Sequence, residues 1–283
     1  MEAIGITANL HKAEALEIAK KLIGLCEDYN LKVHLTIECA SLLGKSDMGY
    51  SMHEIADMSD ILVVLGGDGT LLKVAREFFM ADIPILGINL GHIGFLAEVE
   101  MSDLEPSMER ILKGDYEIEE RLMLSSQVIR NGEVAASFHS LNDMVVSKGP
   151  FSRIIMLEAY VNDQLLETYP GDGVIVASPT GSTAYSLSAG GPIVNPTLNV
   201  LIITPICPHM LHHRSVIISE KEVVHIKVFT QQAEVILTVD GQHGFQLKNN
   251  DEIIIQKSEH STKLVKVSDV NFYALLHRKL RER

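Results

Sequence analysis

The chain has 283 residues, enough for two domains, and its 46% hydrophobic and 22% charged content fits a folded protein rather than a disordered one. A formal net charge of -13 argues against nonspecific nucleic-acid binding. No apolar run approaches the ~20 residues of a membrane span.

Met1-Glu2-Ala3-Ile4-Gly5-Ile6 has neither a basic flank nor an apolar leader core, so a first strand, a cytoplasmic location and no membrane partner are expected. Cys26, Cys39 and Cys207 are an odd set without paired short spacing. They are expected to be buried reduced thiols rather than a disulfide framework or zinc site.

Residues 3–7 predict a short strand, and residues 12–25, with Ala15, Ile18, Leu22 and Leu25 on one face, predict a helix. A strand over 32–37, a short helix over 51–57 and an apolar strand over 61–65 follow. Next come Gly66-Gly67-Asp68-Gly69-Thr70, a helical face of Leu71, Leu72, Ala75, Phe78 and Phe79, and a strand over 84–88. This alternation predicts an α/β domain with a parallel sheet, whose ligands bind at the carboxyl ends of the strands.

Between about 122 and 176, β-branched runs are separated by turn signals at Asn131-Gly132, Lys148-Gly149-Pro150 and Asn162-Asp163. More strands are predicted over 200–204, 215–218, 223–229 and 233–239, giving a β-rich, sandwich-like second domain. Residues 272–283 predict a helix. The expected division is an α/β domain over 1–105 and a β-rich domain over 106–267, with 268–283 packing back on the first.

Four segments carry chemistry. The GGDGT turn joins a buried strand to a helix N-terminus, where glycine lets a ligand approach and free N–H groups favour phosphate. Asp68 there is either a helix cap or, since an acid repels phosphate, a base or metal contact. Lys73, four residues after Gly69, is a cation within possible reach of a phosphate or a solvated helix lysine.

The second segment runs from Gly171-Asp172-Gly173 through Pro179-Thr180-Gly181-Ser182-Thr183-Ala184-Tyr185-Ser186-Leu187-Ser188. Its hydroxyls and aromatic ring suit a nucleotide, and Ser182 with Gly190-Gly191 also suits a capped helix. Asn142-Asp143 interrupt a strand and mark a bulge or a ligand contact, because an amide matches an adenine edge and a carboxylate a ribose diol. Asp240-Gly241-Gln242 end a strand and read as a β-turn.

Together these segments resemble the bacterial NAD kinase family: GGDGT at 66–70, GINLGHIGFLAE at 87–98, LND at 141–143, PTGSTAYSLSAGGPIV at 179–194 and DGQ at 240–242. Diacylglycerol- and sphingosine-type lipid kinases share the glycine turn but follow it differently, and phosphofructokinases lack the PTGSTAY segment. The resemblance implies transfer of the ATP γ-phosphate to the adenosine 2′-hydroxyl of NAD, giving NADP. It implies Asp68 as general base, and Gly66, Gly67, Gly69 and Thr70 as holders of ATP phosphates with magnesium. Asn142 and Asp143 resemble the NAD adenosine contacts, and Asp172 a nicotinamide-ribose neighbour. Thr183, Ala184, Tyr185, Ser186, Leu187 and Ser188 resemble the dinucleotide lining, Gln242 a further NAD contact, and Asp240 an aid near the reacting hydroxyl. The family forms homotetramers or homodimers, and Arg153 resembles a residue lent to a neighbour's site.

Two stretches depart from the family pattern. Pro170-Gly171 stand before Asp172 where many relatives have Arg, and residues 207–215 read Cys-Pro-His-Met-Leu-His-His-Arg-Ser. Cys207, His209, His212 and His213 there superficially resemble metal ligands but are expected at a surface or interface. A lipid or small-alcohol kinase, and a noncatalytic NADP sensor, are the alternative functions.

Overall fold

The computed structural model describes residues 1–281 apart from 92, 93, 211, 231, 232 and 269. It forms two compact units, Met1–Glu120 with Thr262–Arg283, and Arg121–Ser261.

In the first unit β1 (Ala3–Ala8), α1 (Ala13–Asp28), β2 (Lys32–Thr36), α2 (Ile37–Leu43), β3 (Gly49–Tyr50) and α3 (Met52–Met58) come first. They are followed by β4 (Ile61–Gly66), α4 (Asp68–Glu77), β5 (Ile85–Asn89), β6 (Val99–Glu100) and α5 (Leu104–Leu112). The parallel order is β3-β2-β1-β4-β5, with β6 beside β5. Every residue of β4 is buried, as a central strand covered on both faces requires. Strand order reverses between β1 and β4, so the turn after β4 sits at a topological switch point.

Ile37 does not extend β2; it opens α2 with its side chain exposed. Helix α5 buries Leu104, Met108 and Ile111, a helical spacing that extends this unit to Glu120.

β7 (Glu117–Arg130) leads from the first unit into the second, which continues with β8 (Glu133–Ser140), β9 (Asp143–Lys148), β10 (Ile155–Val161), β11 (Gln164–Gly171) and β12 (Gly173–Ala177). A 3-10 turn (Thr180–Thr183), the short α6 (Tyr185–Ser188), β13 (Val200–Ile206), β14 (Val216–Ser219), β15 (Val224–Phe229), β16 (Val235–Val239) and β17 (His243–Leu247) follow. The long β18 (Glu252–Lys266) starts here and ends in the first unit, where Leu264 pairs with Ile85; α7 (Phe272–Arg281) follows it.

One antiparallel sheet runs β14-β13-β12-β9-β16-β17. The other runs β11-β10-β15-β18, with β7 beside β18 and β8 beside β7. Alternate residues, among them Val146, Val176, Ile203, Leu237, Leu157, Ile226 and Ile255, form the core of this sandwich. The other face of the first sheet is buried too: Val145, Ile175 and Ile202 pack with Val194. Hairpins close at Asn131-Gly132, Asn162-Asp163 and Asp240-Gly241, each with both residues at positive φ, which suits the strand twist.

Candidate functional site

In the first unit the glycine turn is shaped by two different glycines. A Cβ on Gly66 would lie 2.4 Å from Thr70 Oγ1, so packing inside the turn excludes a side chain. At Gly67, the N-cap of α4, the nearest atom to such a Cβ is Asn89 Oδ1 at 3.9 Å. The fold itself leaves that space open beside the helix N-terminus, where an anion gains from free N–H groups and the dipole.

Asp68 is the first residue of α4 and does not cap it. Its carboxylate instead accepts hydrogen bonds from the N–H groups of Phe95 (2.8 Å), Leu96 (3.1 Å) and Ala97 (3.3 Å). Gly94 makes room for it, since a Cβ there would sit 1.9 Å from Asp68 Oδ1. Gly69 is exposed, and the Lys73 ammonium is exposed on the helix flank, 3.9 Å from Glu77.

Two residues here escaped sequence reading. Asn89, buried at the end of β5, accepts from Gly91 N–H at 3.2 Å, and Lys12 Nζ lies 3.8 Å from the Cβ position of Gly91. Their signal was position, at or just beyond the ends of parallel strands. His92 and Ile93 of the 87–98 motif lie outside the described residues.

In the second unit Asn142, Asp143, Ala184, Tyr185 and Asp240 line one cavity of about 310 Å³. Asp240 closes its floor. Its carboxylate accepts from the backbone N–H groups of Leu141 (3.1 Å), Asn142 (2.7 Å) and Asp143 (3.2 Å). Asp240 therefore holds the 141–143 backbone, with its lone pairs already engaged.

The Asp143 carboxyl is 4% exposed and lines this cavity with Asp240. Burial, reinforced by the Asp240 carboxylate, pushes it up to about 7. A carboxyl at a cavity wall with that environment suits hydrogen bonding to a ligand hydroxyl or amine. The Tyr185 phenol is also raised, first by burial and then by Cys207, Asp172 and Asp143.

The hydroxyls in and around the PTGSTAY segment are engaged inside the unit. Ser178 Oγ donates to Leu141 O (2.5 Å), Ser182 Oγ bonds both the N–H and the C=O of Val194 (3.1 Å each), and Ser186 Oγ meets Thr204 Oγ1 at 3.1 Å. Thr183 Oγ1 donates to Thr180 O at 3.3 Å. Ser182 is thus no helix cap. The hydroxyls brace the segment against its own unit, because buried polar groups need partners, and the brace presents Ala184 and Tyr185 to the cavity. Gly181 abuts Asn142, whose carbonyl would lie 2.1 Å from a Cβ there.

Asp172 is ion-paired with Lys148 at 3.1 Å, a partner that the sequence did not suggest. Gly171 is required by a close approach: a Cβ would meet Pro208 Cα at 2.9 Å and Cys207 O at 3.1 Å. Leu187 is half-buried; Ser188, Arg153 and Gln242 are exposed, and none of the four lines the cavity.

Cys207 is exposed, not buried, at a positive-φ position just past β13, whereas the Cys26 and Cys39 thiols are buried and pushed up to about 12 and about 11. His212 and His213 line a separate cavity with Arg214. Among the described residues no group of three or more His, Cys, Asp or Glu is placed to hold a metal ion.

A parallel sheet with an open glycine position at the helix N-terminus of its switch point, and a sandwich with a carboxyl-and-amide cavity, fit a nucleotide-handling phosphotransferase. Comparison with known proteins makes the class specific. Residues 4–116 match the ATP-NAD kinase N-terminal domain and residues 141–267 the ATP-NAD kinase C-terminal domain. The chain is 50% identical over 280 residues to the NAD kinase of Natranaerobius thermophilus, covering 99% of this chain and 98% of that one. It is 46% identical over 283 residues to the NAD kinase of Caldanaerobacter subterraneus subsp. tengcongensis, covering 100% of each. It is also similar in structure to yeast NADH kinase complexed with NADH, with a TM-score of 0.90 and 25% identity over 99% of this chain and 88% of that one. The chain belongs to the NAD kinase family.

Proposed function

We propose that this chain transfers the γ-phosphate of ATP to the adenosine 2′-hydroxyl of NAD, forming NADP. The hydroxyl oxygen bonds to phosphorus as the bond to ADP breaks, and Asp68 takes the hydroxyl proton. The observation that carries this reading is the anchored Asp68 carboxylate, set one residue after the open Gly67 position at the start of α4. Phosphoryl transfer needs in-line positioning and charge neutralisation more than strong basicity. A carboxylate fixed by three N–H groups meets the first need without ordering a free side chain.

Gly66, Gly67, Gly69 and Thr70 are assigned to the ATP phosphates, and Asn142 and Asp143 to the NAD adenosine. Asp172, ion-paired with Lys148, is assigned to the nicotinamide ribose. The braced Thr183–Ser188 stretch, through Ala184 and Tyr185, is assigned to the dinucleotide lining, and Gln242 to a further contact. Magnesium, carried by the ATP phosphates beside the 66–70 turn, would neutralise their charge.

A cytoplasmic location and a homotetramer or homodimer belong to the same proposal. Arg153, exposed beside the fully exposed Phe151, supports lending a residue to a neighbour. Nothing in the comparisons favours a lipid or small-alcohol kinase or a noncatalytic sensor.

Asp68→Asn is expected to bind both nucleotides normally while kcat falls ~100-fold or more, the scale of a lost general base. Unchanged kcat would remove Asp68 from that role.

A further inference from the structure

The three N–H groups on Asp68 come from Phe95, Leu96 and Ala97, residues outside any helix or strand. Their placement therefore depends on what holds the segment from either side. On one side Gly87 lets it pack closely on β5: a Cβ there would sit 3.0 Å from Ala97 Cα, and Glu98 N–H donates to Gly87 O at 3.0 Å.

On the other side stands the C-terminal strap. Glu98 is 8% exposed, and its Oε1 accepts from Val267 N–H (3.1 Å), Ser268 N–H (2.8 Å) and Ser268 Oγ–H (2.7 Å). Its Oε2 pairs with Lys266 Nζ. The Phe95 ring packs against Phe272, the first residue of α7, at a centroid distance of 6.4 Å. The strap thus touches residues 95 and 98, bracketing the donors that hold Asp68.

We propose that Glu98, latched to residues 266–268, is a positioning residue for Asp68: it fixes the 95–97 N–H groups and so the carboxylate used in turnover. A buried carboxylate with four donors from a distant segment gives a rigid joint, since losing the carboxylate strands all of its donors. This inference rests on Asp68 being the base.

A mutant cycle tests it. Glu98→Ala is expected to lower kcat tenfold or more, with Kd for NAD and for ATP within twofold of the parent. Glu98→Gln, whose amide oxygen accepts from the same three groups, is expected to stay within threefold of the parent kcat. In an Asp68→Asn background, Glu98→Ala is expected to reduce residual kcat by less than twofold, because it acts through a carboxylate already gone. Unchanged kcat in Glu98→Ala, losses that multiply across the cycle, or an equal loss of binding would overturn the proposal. If Glu98→Ala does not fold, Phe272→Ala in the same cycle gives the same decision. Full kcat in Asp68→Asn alone overturns the base assignment, and the latch with it; impaired Asp68→Asn with multiplying losses overturns only the latch.

Discussion

Replacing Asp240 tests the floor of the cavity. Asp240→Ala removes the acceptor for three backbone N–H groups, those of Leu141 and Asp143 being buried. Each stranded buried donor costs about 1–3 kcal/mol. Asp240 also sits at φ +50, a left-handed conformation that costs alanine about 1 kcal/mol. Relief of the neighbouring Asp143 offsets part of this, leaving a net loss of ~3–5 kcal/mol. Asp240→Asn keeps an acceptor for the Asn142 and Asp143 N–H groups and tolerates the backbone, so ~1–2 kcal/mol is expected. Asp240→Gly removes the acceptor but not the backbone freedom and separates the two effects. Urea denaturation gives the stabilities, and calorimetry should show weaker NAD binding with unchanged ATP binding. An alanine variant within about 1 kcal/mol of the parent, or an asparagine variant as damaged as alanine, would refute this account of Asp240.

The Asp143 carboxyl is raised in the folded chain from its ordinary 3.8 to about 7, so the native state holds a proton that the unfolded chain has released between those values. Its contribution is intact below about pH 4 and is lost as pH rises through about 7, by up to ~4 kcal/mol. Asp143→Asn should therefore gain stability relative to the parent between pH 5 and pH 8 in thermal melts, and parallel profiles would contradict the linkage. Gly67→Ala should fold normally, because its Cβ meets nothing closer than 3.9 Å and its φ of -112° is open to alanine. Its ATP affinity should nevertheless fall ~10-fold, a loss of ~1.4 kcal/mol seen by titration calorimetry; unchanged affinity would mean that no phosphate approaches there.

What could be read from the chain alone followed the range of the interactions. Strand β4 and the turn after it were visible because burial on both faces writes a continuous apolar run and the helix begins at once. The hairpins announced themselves through Asn-Gly and Asn-Asp pairs. Helix α2 was hidden, since it begins with an exposed isoleucine directly after a buried strand and its N-cap residue Thr36 makes no side-chain hydrogen bond.

The site split the same way. Asn142, Asp143, Ala184, Tyr185 and Asp240 were named from composition and motif, and they share one cavity. The roles of Asp240 and Ser178 were not legible, because their partners lie up to 99 residues away in sequence. Glu98 was likewise only a letter in a motif until its partners about 170 residues downstream were placed.

The central claim is tested most directly by incubating the purified chain with NAD, ATP and magnesium and assaying the product with an NADP-specific dehydrogenase. The account predicts NADP formed in step with ADP, and its near-disappearance in Asp68→Asn. Bound nucleotides with no NADP formed would contradict it.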